Sequence, residues 1–359
     1  MLSVHTRPVI PEDRRRLVSF FEEVMNWPGF EHAGSAADYW DWKYLRKPGP
    51  EFVGCAAWSQ NMAVSHASVS PTALIIGGEI VNGGQLGDLY TRPEHRGSGL
   101  AEGMLEGVEE RASAEGVDLL FAFPSEVGHR LVTKRGYWEV PMKFMQYQLI
   151  TNPSKFFDQV RLGSLKKAAY QTMMALRSQA HRSVPGMVKE VRHFPDDIED
   201  MTKRFEANFD LILRHDREYL DWRYSEPQGG TFRTLIATVD GGTAGWAVVR
   251  LYSDADTHYM DIVDMMADLD RPEVAQSLVA EAARVASTEG ADGVQAWMPS
   301  DHPLVPFLLR AGFIERTPGP SERKLRLLCH VIGRHGKEMD VLRRPGLRAH
   351  IMLGDTDWV

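Results

Sequence analysis

Cysteine is nearly absent: Cys55 and Cys329 are the only two in 359 residues, too few for a disulfide framework, which favours a reducing compartment. No run of 18 uncharged apolar residues occurs, and the opening MLSVHTRPVIPEDRRR has no signal-peptide core, so a cytoplasmic protein without an integral membrane span is expected. Positive charge is in deficit, with 41 Lys+Arg against 49 Asp+Glu and a formal charge of −8, so there is no chain-wide field to attract nucleic acid. Metal-ligand spacing is missing as well, with no Cys-x-x-Cys and no His-Glu-x-x-His, and no metal is expected. Ser125 stands in Pro-Ser-Glu-Val-Gly and not in Gly-x-Ser-x-Gly, which excludes a hydrolase elbow.

What is present is an ordinary globular composition, 43% hydrophobic and 25% charged, in a chain long enough for two domains. The two halves echo each other. VHTRPVIPED at residues 4–13 is answered by VKEVRHFPDD at residues 188–197, and the Tyr39-Trp40-Asp41-Trp42-Lys43-Tyr44 segment by Tyr219-Leu220-Asp221-Trp222-Arg223-Tyr224. Asp88-Leu89-Tyr90-Thr91 pairs with Asp264-Met265-Met266-Ala267, and Arg135-Gly136-Tyr137 with Ala311-Gly312-Phe313. A near-constant offset over most of each half points to a duplicated unit, and chance would scatter it. The aromatic pair of segments could wall a pocket; its presence in both halves favours packing.

Strand patterns cover residues 52–59, 63–70 and 80–90, separated by Ser, Asn, Pro and Gly signals. Leu100, Met104, Val108 and Ala112 recur every four residues and predict one helix face, and the apolar run at residues 118–123 predicts a strand buried on both sides. The expected boundaries are residues 1–150, a helical linker at 151–187, and residues 188–359. Residues 151–193 hold eight Lys/Arg and two Asp/Glu, the one basic stretch. Its amphipathic pattern over 151–182 suits either packing between two acidic domains or contact with a membrane surface.

The chemistry is concentrated in Leu89, Tyr90 and Thr91 followed by Arg96-Gly97-Ser98-Gly99-Leu100-Ala101, where a strand end, a glycine turn with arginine and a helix start follow in succession. Unpaired N–H groups at a helix start, approached across glycines, make an anion site suited to a diphosphate. The plain alternative is a tight strand-to-helix turn. These residues resemble the acyl-CoA loop of the GNAT N-acyltransferases, whose pattern is Arg/Gln-x-x-Gly-x-Gly/Ala. The similarity extends over residues 1–150, through Pro11-Glu12-Asp13, Phe123-Pro124-Ser125 and Lys134-Arg135-Gly136-Tyr137.

The resemblance implies an α/β fold of two GNAT-like domains in tandem, each a mixed, mostly antiparallel central sheet flanked by helices. It also implies acetyl-CoA or another acyl-CoA as co-substrate, with the diphosphate on residues 96–101 and the thioester along Leu89, Tyr90 and Thr91. The activity implied is transfer of an acetyl or short acyl group to a primary amine by direct attack. The family's strand-four Glu falls here on Gly87 and its usual Tyr on Val132. Asp88 is then the nearest carboxylate and the candidate base, with His129 and Ser125 as candidates for the acid. In the second half Pro272, Glu273, Val274 and Ala275 stand where the loop should be, with no glycine, so that copy is expected to have lost its cofactor site. The rival reading is a non-catalytic acyl-CoA-binding or protein-interaction module.

Overall fold

The computed structural model describes residues 4–25, 27–152, 183–254, 257–316, 324–333 and 337–357. Apart from its ends, the basic linker, with the membrane contact suggested for it, lies outside these residues. The first half runs β1 (Val4–Pro8), α1 (Arg14–Met25), α2 (Ala36–Trp40) passing directly into a π-helical turn (Asp41–Leu45), then β2 (Val53–Ser59), β3 (Met62–Ile76) and β4 (Glu79–Thr91). It continues through α3 (Leu100–Ala114), β5 (Leu119–Ala122), α4 (Glu126–Lys134), β6 (Trp138–Glu139) and β7 (Phe144–Ile150).

The second half follows with β8 (Val188–Val191), α5 (Ile198–Glu206), β9 (Leu211–Leu213) and α6 (Arg217–Leu220), again leading into a π-helical turn (Asp221–Ser225). Next come β10 (Arg233–Val239), β11 (Gly242–Asp254), β12 (Thr257–Ala267), α7 (Pro272–Thr288), β13 (Gly293–Pro299), α8 (Val305–Arg310) and β14 (Ile314–Arg316). The chain closes with β15 (Leu328–Val331) and β16 (Ala349–His350).

Local sequence explains the main elements. Met104, Leu105, Val108 and Ala112 turn one face of α3 onto the core, as the four-residue spacing predicts. All of β5 is buried, which suits its unbroken apolar run. β3 runs further than expected, through Pro71 to Ile76, because its pairing with β2 ends at Val53 opposite Val69. Past that point one edge is open, so a residue without an N–H leaves no ladder bond unmade. The same edge is taken up again by β9, antiparallel to Leu74, Ile75 and Ile76.

Two sheets result, with strand orders β1-β2-β3-β4-β5-β15-β6 and β8-β10-β11-β12-β13-β7-β14. The orders correspond position by position, with one exchange: β7 leaves the first half to lie between β13 and β14, and β15 comes back from the second half to lie between β5 and β6. The sheets therefore do not divide where the chain does at residue 150. Tyr147 on the outgoing strand is 0% exposed, as is Leu328 on the returning one, so each sheet's core is completed by the other half. The π-helical turns meet between the sheets, with Trp42 and Trp222 stacked 4.7 Å apart at 13°. Each indole Nε1–H donates to the other's main-chain oxygen at 2.9 Å.

Candidate functional site

β4 and β5 are parallel partners only from Gly83 to Gln85, opposite Leu119 to Phe121. Beyond Gln85 the two strands part, and the edge of β4 that faced β5 has no strand partner among the described residues. A bulge accompanies the parting: His66 faces Tyr90 and Ser68 faces Gly87, so Asp88 and Leu89 stand opposite the single residue Ala67. Asp88 takes φ +48, a left-handed conformation that costs about 1–3 kcal/mol for a non-glycine residue and that Asp tolerates better than most. The buried His66 Nδ1 lies 3.0 Å from the Asp88 carbonyl and pins the bulge.

The parted strands frame a cavity of about 760 Å³. Leu86 to Thr91 on β4 and Ala122 to Ser125 after β5 line it, together with Arg96, Ala101 and the aromatic Trp27, Phe30 and Tyr39. Arg96 is exposed at the rim, its Nε donating to the Thr91 carbonyl at 3.2 Å and its Nη2 to the Tyr90 hydroxyl at 3.1 Å. Two of its five N–H groups are used in this way. Gly97 and Gly99 have φ +75 and +80, and nothing lies within 4 Å of the Cβ position of either. The positive φ is what calls for glycine at both positions. The first bond of α3 is Gly103 N–H to Gly99 O, so the N–H groups of Leu100, Ala101 and Glu102 precede the ladder at the positive end of a long helix.

On β4, Asp88 is not a free carboxylate. Lys43 Nζ lies 2.7 Å from its Oδ2, and the Tyr44 hydroxyl donates to the same oxygen. Burial alone would raise the Asp88 carboxyl, but the Lys43 charge and the two hydrogen bonds hold it below the usual carboxylate range. Lys43 in turn is desolvated yet held well above its ordinary value by Asp88, and Tyr44 is pushed well up by burial and the same charge. Next to them Lys47 donates to Ser70 Oγ, the Pro71 carbonyl and Thr72 Oγ1 at 2.7, 2.6 and 2.7 Å. With no carboxylate partner among the described residues, burial and the Arg223 and Lys43 charges push it down to about 7.

Of the residues singled out from the sequence, Asp88, Leu89, Tyr90, Thr91, Arg96, Ala101 and Ser125 line the cavity. Gly97, Ser98, Gly99 and Leu100 form the turn beside Arg96. Ser125 caps α4, its Oγ accepting from Gly128 N–H at 3.2 Å. His129 is turned away, its Nε2 3.5 Å from Glu139 Oε2. Lys43 and Tyr44, which fix Asp88, belong to the duplicated aromatic segment that sequence reasoning assigned to packing. That duplication was the available signal.

Residues 5–140 match the model of the acetyltransferase (GNAT) domain. No curated protein matches the chain. Among solved structures, a conserved Enterococcus faecalis protein described as a probable N-acyltransferase is 12% identical with a TM-score of 0.64, covering 92% of this chain and 73% of that one. A GCN5-related N-acetyltransferase from Anabaena variabilis gives the same identity, score and coverage. Saccharomyces cerevisiae N-myristoyltransferase with bound myristoyl-CoA is 12% identical with a TM-score of 0.61, covering 92% and 79%. These likenesses extend the fold beyond the GNAT domain to nearly the whole chain.

The second sheet carries the same bulge chemistry without the same opening. Asp264 accepts from the Tyr224 hydroxyl at 2.8 Å, and His215 Nε2 lies 3.2 Å from Asp264 Oδ2 and 3.2 Å from Asp355 Oδ1. All three acidic or imidazole groups are buried. Burial would lower His215, but the Asp264 charge holds it well above its usual value, so it stands to Asp264 as Lys43 stands to Asp88. The turn after β16 packs against β12 and β13, with Met352 and Leu353 in the second core. At the start of α7 the helix cap is Arg271, whose guanidinium is paired with Asp240 at 3.1 Å and Asp268 at 3.9 Å.

Proposed function

We propose that the protein is an N-acyltransferase that moves an acetyl or other short acyl group from acyl-CoA to a primary amine by direct attack within one ternary complex. The observation that carries this reading is the cavity opened by the parting of β4 and β5, with Arg96 among the residues that line it. The diphosphate sits on Arg96 and the N–H groups of residues 97–101, and the pantetheine runs along the unpartnered edge of β4 past Leu89 and Thr91. A thioester carbonyl there meets main-chain donors that are already oriented, which stabilises the oxyanion formed on attack. The amine nitrogen bonds to the acyl carbon and gives up its proton to solvent water, the carbon–sulfur bond breaks, and CoA leaves as thiolate, to be protonated from solvent or by a nearby hydroxyl that solvent reprotonates. Ser125, on the β5 wall, is the hydroxyl placed for that.

Asp88 is better suited to holding the bulge and a local positive charge than to taking the amine's proton, because Lys43 and Tyr44 both occupy its Oδ2. The same commitment favours the second reading, an acyl-CoA-binding module without turnover. Incubating the full chain with acetyl-CoA and a set of primary amines, while following free thiol, separates the two. Amine-dependent thiol release supports the transferase; tight CoA binding with no release for any amine supports the module, and no CoA binding overturns both.

A further inference from the structure

Three buried side chains from distant parts of the chain converge beside the second sheet: His215 just past β9, Asp264 on β12 and Asp355 in the closing turn. His215 Nε2 lies 3.2 Å from Asp264 Oδ2 and 3.2 Å from Asp355 Oδ1, and one ligand atom from each residue lies within 4.8 Å of the other two. On each residue the atom turned away from that point is fixed by the main chain. His215 Nδ1 donates to the Leu213 carbonyl at 2.7 Å, Met265 N–H donates to Asp264 Oδ1 at 2.9 Å, and Met352 N–H donates to Asp355 Oδ2 at 2.7 Å. A carbonyl can only accept, so Nδ1 carries a proton and the neutral ring presents its Nε2 lone pair to the two carboxylates. Neither His215 Nε2 nor Asp355 Oδ1 has a hydrogen-bond partner among the described residues. Metal-binding histidines are oriented in this way, through the other ring nitrogen.

Two buried carboxylates facing a lone pair need a cation among them. A proton on Nε2 points at one oxygen only, and a charged N–H to carboxylate bond measures about 2.7–2.9 Å, shorter than either contact here. Ligands about 2.0–2.1 Å from a tetrahedral zinc ion stand about 3.3 Å apart, close to the spacing found, and a divalent ion balances both carboxylates. Behind Asp264, Leu304 N–H donates to His302 Nδ1 at 3.1 Å, so the neutral His302 gives its Nε2 proton to His350 Nδ1 at 3.0 Å. His350 then keeps its own proton on Nε2, 3.4 Å from Asp264 Oδ1, and backs that carboxylate without competing for the ion. Asp355 also lines a pocket of about 50 Å³ bordered by both halves, which gives a small ion or a water a way in.

Such an ion fastens the closing segment at its turn. Gln85 Nε2 donates to the Asp355 carbonyl at 3.4 Å, and Arg223 donates to the Gly354 and Thr356 carbonyls at 3.3 and 3.4 Å. Gly354 lies against Tyr224, leaving no room for a side chain. Asp357 then reaches the first half's cavity, where a Cβ placed on Gly87 would come 2.9 Å from its Oδ2.

We infer that His215, Asp264 and Asp355 hold a divalent transition-metal ion of the Zn²⁺ kind, a structural site that ties the closing segment to the second sheet. The ligands are too far apart in sequence for any spacing motif to show them, and the site stands independently of the acyl-transfer reading. The full-length chain, treated with a chelator and dialysed, is titrated with Zn²⁺ by calorimetry and with Co²⁺ by visible absorption. The wild type is expected to bind one ion per chain with micromolar or tighter affinity, to show the intense bands of four-coordinate Co²⁺, and to melt at a higher temperature with Zn²⁺ bound. His215→Gln and Asp355→Asn should each weaken binding at least a hundredfold and abolish the bands while still unfolding cooperatively. No saturable one-to-one binding by the wild type overturns the inference. Equal affinity in the two variants also overturns it, because the ion is then held by surface groups. Where a variant fails to fold, the wild type's Co²⁺ spectrum decides, since an ion held at the surface gives only the weak bands of six-coordination.

Discussion

Replacing Lys43 by methionine leaves the Asp88 carboxylate buried beside Tyr44 with its cation gone. The side chains of the pair are 14% and 5% exposed, so solvent screens the interaction little. Breaking a buried pair by removing one partner costs about 3–5 kcal/mol. With about 2.1 cal/mol/K of unfolding entropy per residue, a chain of 359 residues shifts by roughly 1.3 °C per kcal/mol, and the melting temperature at pH 7 should fall by about 4–7 °C. The pH dependence distinguishes a lost charge from lost packing. In the wild type the Asp88 carboxyl sits below its unfolded value, so its contribution is present above that value, about 3.9, and is lost as pH falls through the folded one. In Lys43→Met, burial without the cation raises the carboxyl above its unfolded value, and the variant's deficit grows as pH rises from about 4. Thermal or urea unfolding at pH 4.5 and pH 7 should therefore show a small deficit at the lower pH and a large one at the higher. His66, Tyr39, Tyr44 and Asp357 surround the same groups and are unchanged in both proteins. Adding Asp88→Asn to Lys43→Met should recover much of the loss and flatten the difference with pH. An equal deficit at both pH values, or no recovery in the double variant, would refute the charge-based account.

Arg96→Ala should weaken CoA binding at least tenfold in calorimetry, because a charge-assisted bond to phosphate is worth on the order of 1.5–3 kcal/mol, and unchanged affinity would remove the diphosphate from that turn. One CoA per chain is the expected stoichiometry, since Met352 and Leu353 pack into the second core and Arg271 is committed to Asp240 and Asp268; two equal sites would contradict it. Trp42→Ala removes a stacked partner and the indole's hydrogen bond to the Trp222 main-chain oxygen at the junction of the halves, and should cost about 3–5 kcal/mol in denaturant unfolding. A loss below about 1 kcal/mol would mean that the halves are held chiefly by the exchanged strands.

The sequence by itself determined what depends on neighbours in the chain. The α3 face follows from a four-residue spacing, and the tight turn before it from two glycines at positive φ, placed between an arginine and a helix start. The strand exchange has no such signal: β7 and β15 are short apolar strands that fit either sheet's open position, and only the assembled cores decide which one each completes. Asp88 shows both sides of this division. Its position on β4 was legible, but its partners Lys43 and Tyr44 come from the π-helical turn that the stacking of Trp42 on Trp222 holds between the halves. Asp357 lies furthest from local reading. No spacing in the chain links residue 357 to residue 87, and the link exists because the closing segment, fastened to Arg223, Gln85 and Tyr224, runs across the second sheet to the cavity wall of the first. Burial and long-range pairing settle such contacts, and both are properties of the folded whole.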